Sequence, residues 1–262
     1  MRLLKRIENQ IWKISWFLKN YRKVQPGVRF IPSVFQGPIT YEADGIITSN
    51  NCDFIQDKRF QSAYKAAEAT SPWSGFNMPW RVYIVCLLAD MVKHMEGDFV
   101  ECGVNTGAYS RAVIDYINFP TLHKQFYLLD TFQGLVPEQI TDEEYKAGVD
   151  TYLGSYKNVY DQVVETFKSF PVKIIRGPVP DTLPQCDAKK VCYLSIDMNV
   201  LAPEIAAANF FWDKLVPGGV MILDDYGFPA HIVQKKAFDL FAKEHGVNIL
   251  YIPTGQGIIF KR

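Results

Sequence analysis

From Gly97 onward, apolar runs of four to six residues alternate with stretches of helical period. The runs are Phe99 to Cys102, Phe126 to Leu129, Val172 to Ile175, Val191 to Ile196 and Val220 to Leu223. Between them lie Tyr109 to Tyr116, Val159 to Ser169, Pro203 to Leu215 and Ala230 to His245. Short apolar strands separated by helices predict βαβ units and a parallel sheet. The closing stretch "VNILYIPTGQGIIFKR" places two apolar runs around a Gly-containing turn, which predicts a terminal antiparallel hairpin.

Upstream the period is helical. "CDFIQDKRFQSAYKAAEAT" is followed by the loop "SPWSGFNMPW" and by a helix, buried through "VYIVCLLA", that runs to about His94. At the amino terminus Leu3, Leu4, Ile7, Ile11, Ile14 and Leu18 recur at helical spacing among basic residues. Such a helix packs on a partner subunit or rests on an anionic membrane surface. A Pro- and Gly-rich linker at 23–45 follows, so the chain divides into an amphipathic helix with its linker at 1–45, a helical cap at 46–96 and an α/β domain at 97–262.

Four strand ends carry acids. In "GDFVECGVNTGAYS", Glu101 precedes Gly103 and Gly107, a loop that lets a ligand approach the backbone. Its GxxxG spacing lacks the third glycine of a pyrophosphate binder, which disfavours a dinucleotide, while Glu101 suits a ligand with a positive ammonium or sulfonium. Asp130 closes "FYLLD", where an acid takes up ribose hydroxyls or serves as a turn aspartate. Asp197 closes "YLSID", with Asn199 after it, and Asp224 and Asp225 close "GGVMILDD". Functional groups gather at the carboxyl ends of parallel strands, so Asp197 and the pair should converge. Converging carboxylates repel unless a cation neutralises them, and an all-oxygen set favours Mg²⁺, with Ca²⁺ or Mn²⁺ as alternatives.

Composition narrows the classes. Lys plus Arg equals Asp plus Glu at 28 each, so no general polyelectrolyte attraction to nucleic acid is expected. Five scattered cysteines without a CxxC suggest neither a disulfide framework nor a zinc site, and a reducing cytoplasm is the expected compartment. The apolar run at 82–89 is far short of a membrane span.

The pieces "GDFVECGVNTG", "LLDTFQGL", "RGPVPDTLP", "LSIDMN" and "LVPGGVMILDDYG", in this order, resemble the macrocin O-methyltransferase family, cation-dependent S-adenosylmethionine (SAM) enzymes that methylate sugar hydroxyls. The resemblance implies a Rossmann-like class I methyltransferase fold. It implies that Glu101, Gly103, Thr106, Asp130, Arg176 and Gly177, with the adjoining Asn105, Ser110 and Thr131, lie around SAM. It further implies that Asp197, Asp224 and Asp225 hold the metal; on chemical grounds a metal-bound Asp197 is the expected general base for the acceptor hydroxyl. Two departures stand out: Asn199 replaces a second aspartate, and the lid region between Phe132 and Tyr160 holds no histidine. His231 is an alternative base or a structural residue. Tyr145, Tyr152, Tyr156 and Tyr160 belong to a closing lid or to a solvated face. Trp73 and Phe76 line an acceptor pocket or join the core, and Trp80 is expected in the core.

The resulting expectation is a SAM-dependent O-methyltransferase acting on a sugar, glycan or glycosylated small molecule, with self-association through the appended helix plausible. Two other classes compete with it: a nicotinamide-dependent oxidoreductase, and a non-catalytic SAM-binding scaffold.

Overall fold

The computed structural model describes residues 37–262, so the expectations placed on the amino-terminal helix lie outside the described residues. A small antiparallel ribbon, β1 (Tyr41–Ala43) and β2 (Ile46–Thr48), leads into α1 (Lys58–Glu68) and α2 (Pro79–Val92). The α/β series follows: β3 (Asp98–Cys102), α3 (Ala108–Tyr116), β4 (Phe126–Asp130), α4 (Asp142–Ala147), α5 (Tyr160–Phe167), β5 (Val172–Arg176), β6 (Val191–Ile196), α6 (Leu201–Trp212), β7 (Leu215–Leu223), α7 (Ile232–Glu244), β8 (Leu250–Tyr251) and β9 (Gly257–Phe260). Seven strands form one sheet in the order β5-β4-β3-β6-β7-β9-β8, with the first five parallel and β9 antiparallel to both neighbours.

The central strands β4 and β6 and the second half of β7 are buried on both faces, which is why they read as apolar runs, while the outer strand β5 is only partly covered and carries Lys173. Alternate residues serve different layers. Phe99, Phe126, Tyr193 and Val220 face a core shared with α1, α2 and α3, including Phe60, Ala63, Val82, Val85 and Ala112. Val100, Tyr127, Leu194 and Met221 face the other core, with Ala207, Phe211, Phe238 and Phe241 of α6 and α7.

The segment 46–96, expected as a cap, therefore packs into the same core as the sheet. Asp57 starts α1 by accepting from the Phe60 N–H at 2.8 Å. Pro79 occupies the first turn of α2, where its missing N–H costs nothing. Asp44 of the ribbon accepts from the exposed Trp80 N–H at 2.7 Å, so the ribbon fixes where α2 begins.

Candidate functional site

The site is built where the parallel strands end. Gly103 N–H donates to the Leu129 carbonyl at 2.9 Å, and Asp197 N–H donates to the Cys102 carbonyl at 2.9 Å, so the sheet's hydrogen bonding continues into both loops. Gly103 has φ +87°, and a Cβ there would overlap the Asp197 carbonyl. Only glycine permits this approach of the two loops.

Asp130 then locks the loop. Its Oδ2 accepts from the Val104 N–H at 2.5 Å and the Asn105 N–H at 2.7 Å, while Oδ1 accepts from the Phe132 N–H at 2.6 Å. The carboxylate is on the cavity wall, yet three of its acceptor positions are engaged by backbone. Burial pushes its pKa up, against the three N–H donors that pull it down.

Glu101 is 2 % exposed and accepts a hydrogen bond from Ser110 Oγ. Burial is the chief reason its pKa is pushed up to about 8, and the charges of Asp197 and Asp130 add to it.

Asp197 follows β6, and the Asp224 N–H donates to the Ile196 carbonyl at 3.0 Å as β7 ends. Consecutive strands that are also neighbours in the sheet thus deliver three carboxylates to one place: ligand oxygens of Asp197, Asp224 and Asp225 lie within 4.8 Å of one another. Their surroundings differ. Asp224, 3 % exposed, accepts from Tyr109 Oη and from Gln256 Nε2 at 3.0 Å each and is ion-paired with Arg81. Asp225 has one oxygen 3.9 Å from Arg81, and its buried Oδ2 has no hydrogen-bond partner. Burial, followed by the charge of Asp225, pushes the Asp197 carboxyl up; burial pushes Asp225 up against the pull of Arg81. Asn199 Nδ2 lies 3.5 Å from Asp197 Oδ1.

A cavity of about 1140 Å³ joins these parts, with Glu101, Asn105, Asp130, Asp197 and Asp225 on its wall. Gly103, Thr106, Thr131, Gly177 and Asp224 also line it. Two expected cofactor residues do not. Ser110 is buried behind Glu101, and the exposed Arg176 side chain lies across the Tyr160 ring, 4.4 Å from its centroid.

The aromatic loop divides similarly. Trp73 and Phe76 stand at the cavity, in edge contact at 5.0 Å, whereas Trp80 packs among Tyr41, Phe54 and Tyr83. Of the four tyrosines, Tyr156 lines the cavity and Tyr145 is 42 % exposed. Tyr152 stacks on His231, and Tyr160 packs on Phe132. His231 is 2 % exposed, with Nδ1 bonded to Gln234 at 2.8 Å and Nε2 3.9 Å from Asp225 Oδ2; burial lowers its pKa.

Sequence reasoning missed Arg81, Tyr109 and Gln256. The first two carried a faint signal: a cation at the start of an apolar helix, and a tyrosine two positions after the loop's last glycine. Gln256 carried none.

The sheet order, the glycine loop and the acids at the strand ends define a class I methyltransferase fold. This chain belongs to the macrocin O-methyltransferase family, whose model matches residues 50–254. It is a SAM-dependent O-methyltransferase, which sets the nicotinamide alternative aside. Mycinamicin III 3''-O-methyltransferase of Micromonospora griseorubida is 22% identical over 192 residues, covering 68% of this chain and 73% of the relative. The O-methyltransferase NovP shares the fold with a TM-score of 0.57 at 20% identity, over 69% of this chain and 79% of NovP. The calicheamicin methyltransferase CalS11 does so with a TM-score of 0.57 at 14% identity, over 80% and 93%. Among the described residues no helix is long and apolar enough to cross a membrane.

Proposed function

We propose that the protein transfers the sulfonium methyl of SAM to a hydroxyl of a sugar, glycan or glycosylated small molecule, with a divalent cation, Mg²⁺ in the first place, held by Asp197, Asp224 and Asp225. The observation that carries this reading is the meeting of three carboxylates on the wall of the cavity that also contains the glycine loop. The curated relative, named for 3''-O-methylation of mycinamicin III, supports the acceptor class. The donor set fits a hard cation: every ligand atom is a carboxylate oxygen, and Asp225 Oδ2 is buried with nothing bonded to it. Ca²⁺ and Mn²⁺ fit the same chemistry.

When bound, SAM supplies the activated methyl group and the cation supplies acidity to a coordinated hydroxyl. The chain does the rest. Glu101 faces the cavity with a carboxyl that ionises readily beside a positive ligand group, and Asp130 holds the loop at which the donor lies. Asp197, on the cavity wall beside the other two carboxylates, is placed to receive the acceptor's proton. His231 does not line the cavity and is fixed by Gln234, so it takes no proton from the acceptor. The volume exceeds that of an ordinary single-ligand pocket, which suits a donor and an acceptor together.

All five cysteines are free and buried, which supports a reducing, cytoplasmic setting. Self-association or peripheral membrane contact through the basic segment before residue 37 belongs to the same proposal.

The test uses methyl-labelled SAM with glycosylated macrolides such as mycinamicin III as acceptors. Transfer should fall at least a hundredfold in EDTA and return with Mg²⁺, while calorimetric SAM binding stays within a few-fold. Transfer that ignores EDTA refutes the metal role.

A further inference from the structure

Arg81 runs against the local logic of its helix. It lies in the first turn of α2, where the helix dipole disfavours a cation; no acid of the helix itself shares that turn, and Asp44 of the ribbon is occupied there by the Trp80 and Arg81 N–H groups at 2.7 and 3.4 Å. Its side chain is 13 % exposed and lines the cavity. The guanidinium is ion-paired with Asp224 Oδ2, lies 3.4 Å from the Asp224 carbonyl and 3.9 Å from Asp225 Oδ1, and sits over the Phe228 ring at 5.0 Å. These are two of the three carboxylates that a divalent cation would use, so the two cations compete for the same oxygens.

The pairing is also incomplete. Arg81 Nε is buried without a partner, and so is Asp225 Oδ2. A fully engaged guanidinium satisfies both arms of its fork. This one leaves a donor and an acceptor unpaired in the same site, which lowers the barrier to exchanging it for another cation. Its stem is unbranched, and the cavity beside it is open enough to receive the displaced group.

We propose that Arg81 is a built-in counter-cation that holds the acidic cluster together before loading and leaves as a divalent ion enters. The idea rests on the metal-dependent reading above and adds to it a competitor supplied by the chain itself. It requires metal affinity to be weaker than the three carboxylates alone would give.

The experiment titrates Mn²⁺ into the full chain, following free Mn²⁺ by electron paramagnetic resonance, for the wild type, Arg81→Met, Arg81→Lys and Asp225→Asn. Arg81→Met should bind one Mn²⁺ at least tenfold more tightly than the wild type, about 1.4 kcal/mol. Arg81→Lys should stay near the wild type, and Asp225→Asn should lose the site. In the wild type, where no variant need fold, Mn²⁺ should raise phenylglyoxal labelling of Arg81 several-fold in peptide maps. Equal or weaker binding in Arg81→Met, with Asp225→Asn still losing it, or labelling unchanged by Mn²⁺, overturns the competition and leaves the metal reading intact. Absence of Mn²⁺ binding in every protein overturns both.

Discussion

Glu101 offers the cleanest measurement of how this site is poised. Its carboxyl has an ordinary pKa of 4.5 and is pushed up to about 8 in the folded chain, chiefly by burial. Between those two values the folded state holds a proton that the unfolded state has released, so stability falls as pH rises. The contribution is fully present below about pH 4.5 and is lost as pH climbs through 8. At pH 7 the protein has crossed about 2.5 of those units, on the order of 3 kcal/mol at roughly 1.4 kcal/mol per unit. Glu101→Gln is neutral at every pH and keeps an oxygen to accept from Ser110. The variant should match the wild type near pH 5 and exceed it in Tm by roughly 5 °C or more at pH 8, given about 2–4 °C per kcal/mol for a chain of this size. Differential scanning fluorimetry of both ligand-free proteins from pH 5 to 8 reads this directly. SAM should then stabilise the wild type more than the variant at pH 8, because only Glu101 can turn ionic beside the ligand. Parallel Tm curves across the range would refute the burial argument. Equal SAM stabilisation would leave that argument standing and remove Glu101 from the donor site.

The two neighbouring aspartates should separate when each is made an amide. Asp224→Asn strips the partner from a buried guanidinium and should cost about 3–5 kcal/mol, seen in urea unfolding. Asp225→Asn removes no strong bond and should change stability by less than about 1 kcal/mol while abolishing methyl transfer. Similar losses of stability in both would contradict the assignment of Asp224 as the anchored member. Asp130→Asn turns an amide donor toward one of the loop's N–H donors, so it should weaken SAM binding at least tenfold by calorimetry with Asp225→Asn nearly unaffected. Gly103→Ala should yield little soluble protein on expression, because its Cβ has no room against the Asp197 backbone.

What the amino-acid pattern revealed follows from what buried strands require. A parallel strand covered on both sides must be apolar throughout and can turn polar only at its ends, so Asp130, Asp197 and Asp224 were visible as the first charges after each run. Boundaries were less visible where turn residues sit inside elements. β7 begins at Leu215 and carries Pro217, Gly218 and Gly219 through an exposed, irregular start whose register with β6 shifts. Those residues read as a break. α6 begins at Leu201 because Pro203 falls in its first turn, where no N–H is needed, and Ala230 and His231 belong to a 3-10 turn before α7.

The roles of the acids were harder to read than their positions, since an acid at a strand end may face a ligand, a backbone N–H or a basic side chain with the same sequence signature. Asp130 bonds the loop because positive φ at Gly103 and Asn105 turns the Val104 and Asn105 N–H groups toward it, while Phe132, itself at positive φ just after β4, supplies the third donor. Asp224 is a partner for Arg81, Tyr109 and Gln256, which come from two helices and the terminal hairpin, at separations of 143, 115 and 32 residues. Asp225, its neighbour in the turn that follows β7, stands 3.9 Å from the same guanidinium and keeps an unbonded oxygen. Two adjacent carboxylates are therefore tolerable here because they are unlike before any cation binds: Asp224 is ion-paired with Arg81, and Asp225 keeps an oxygen with no partner.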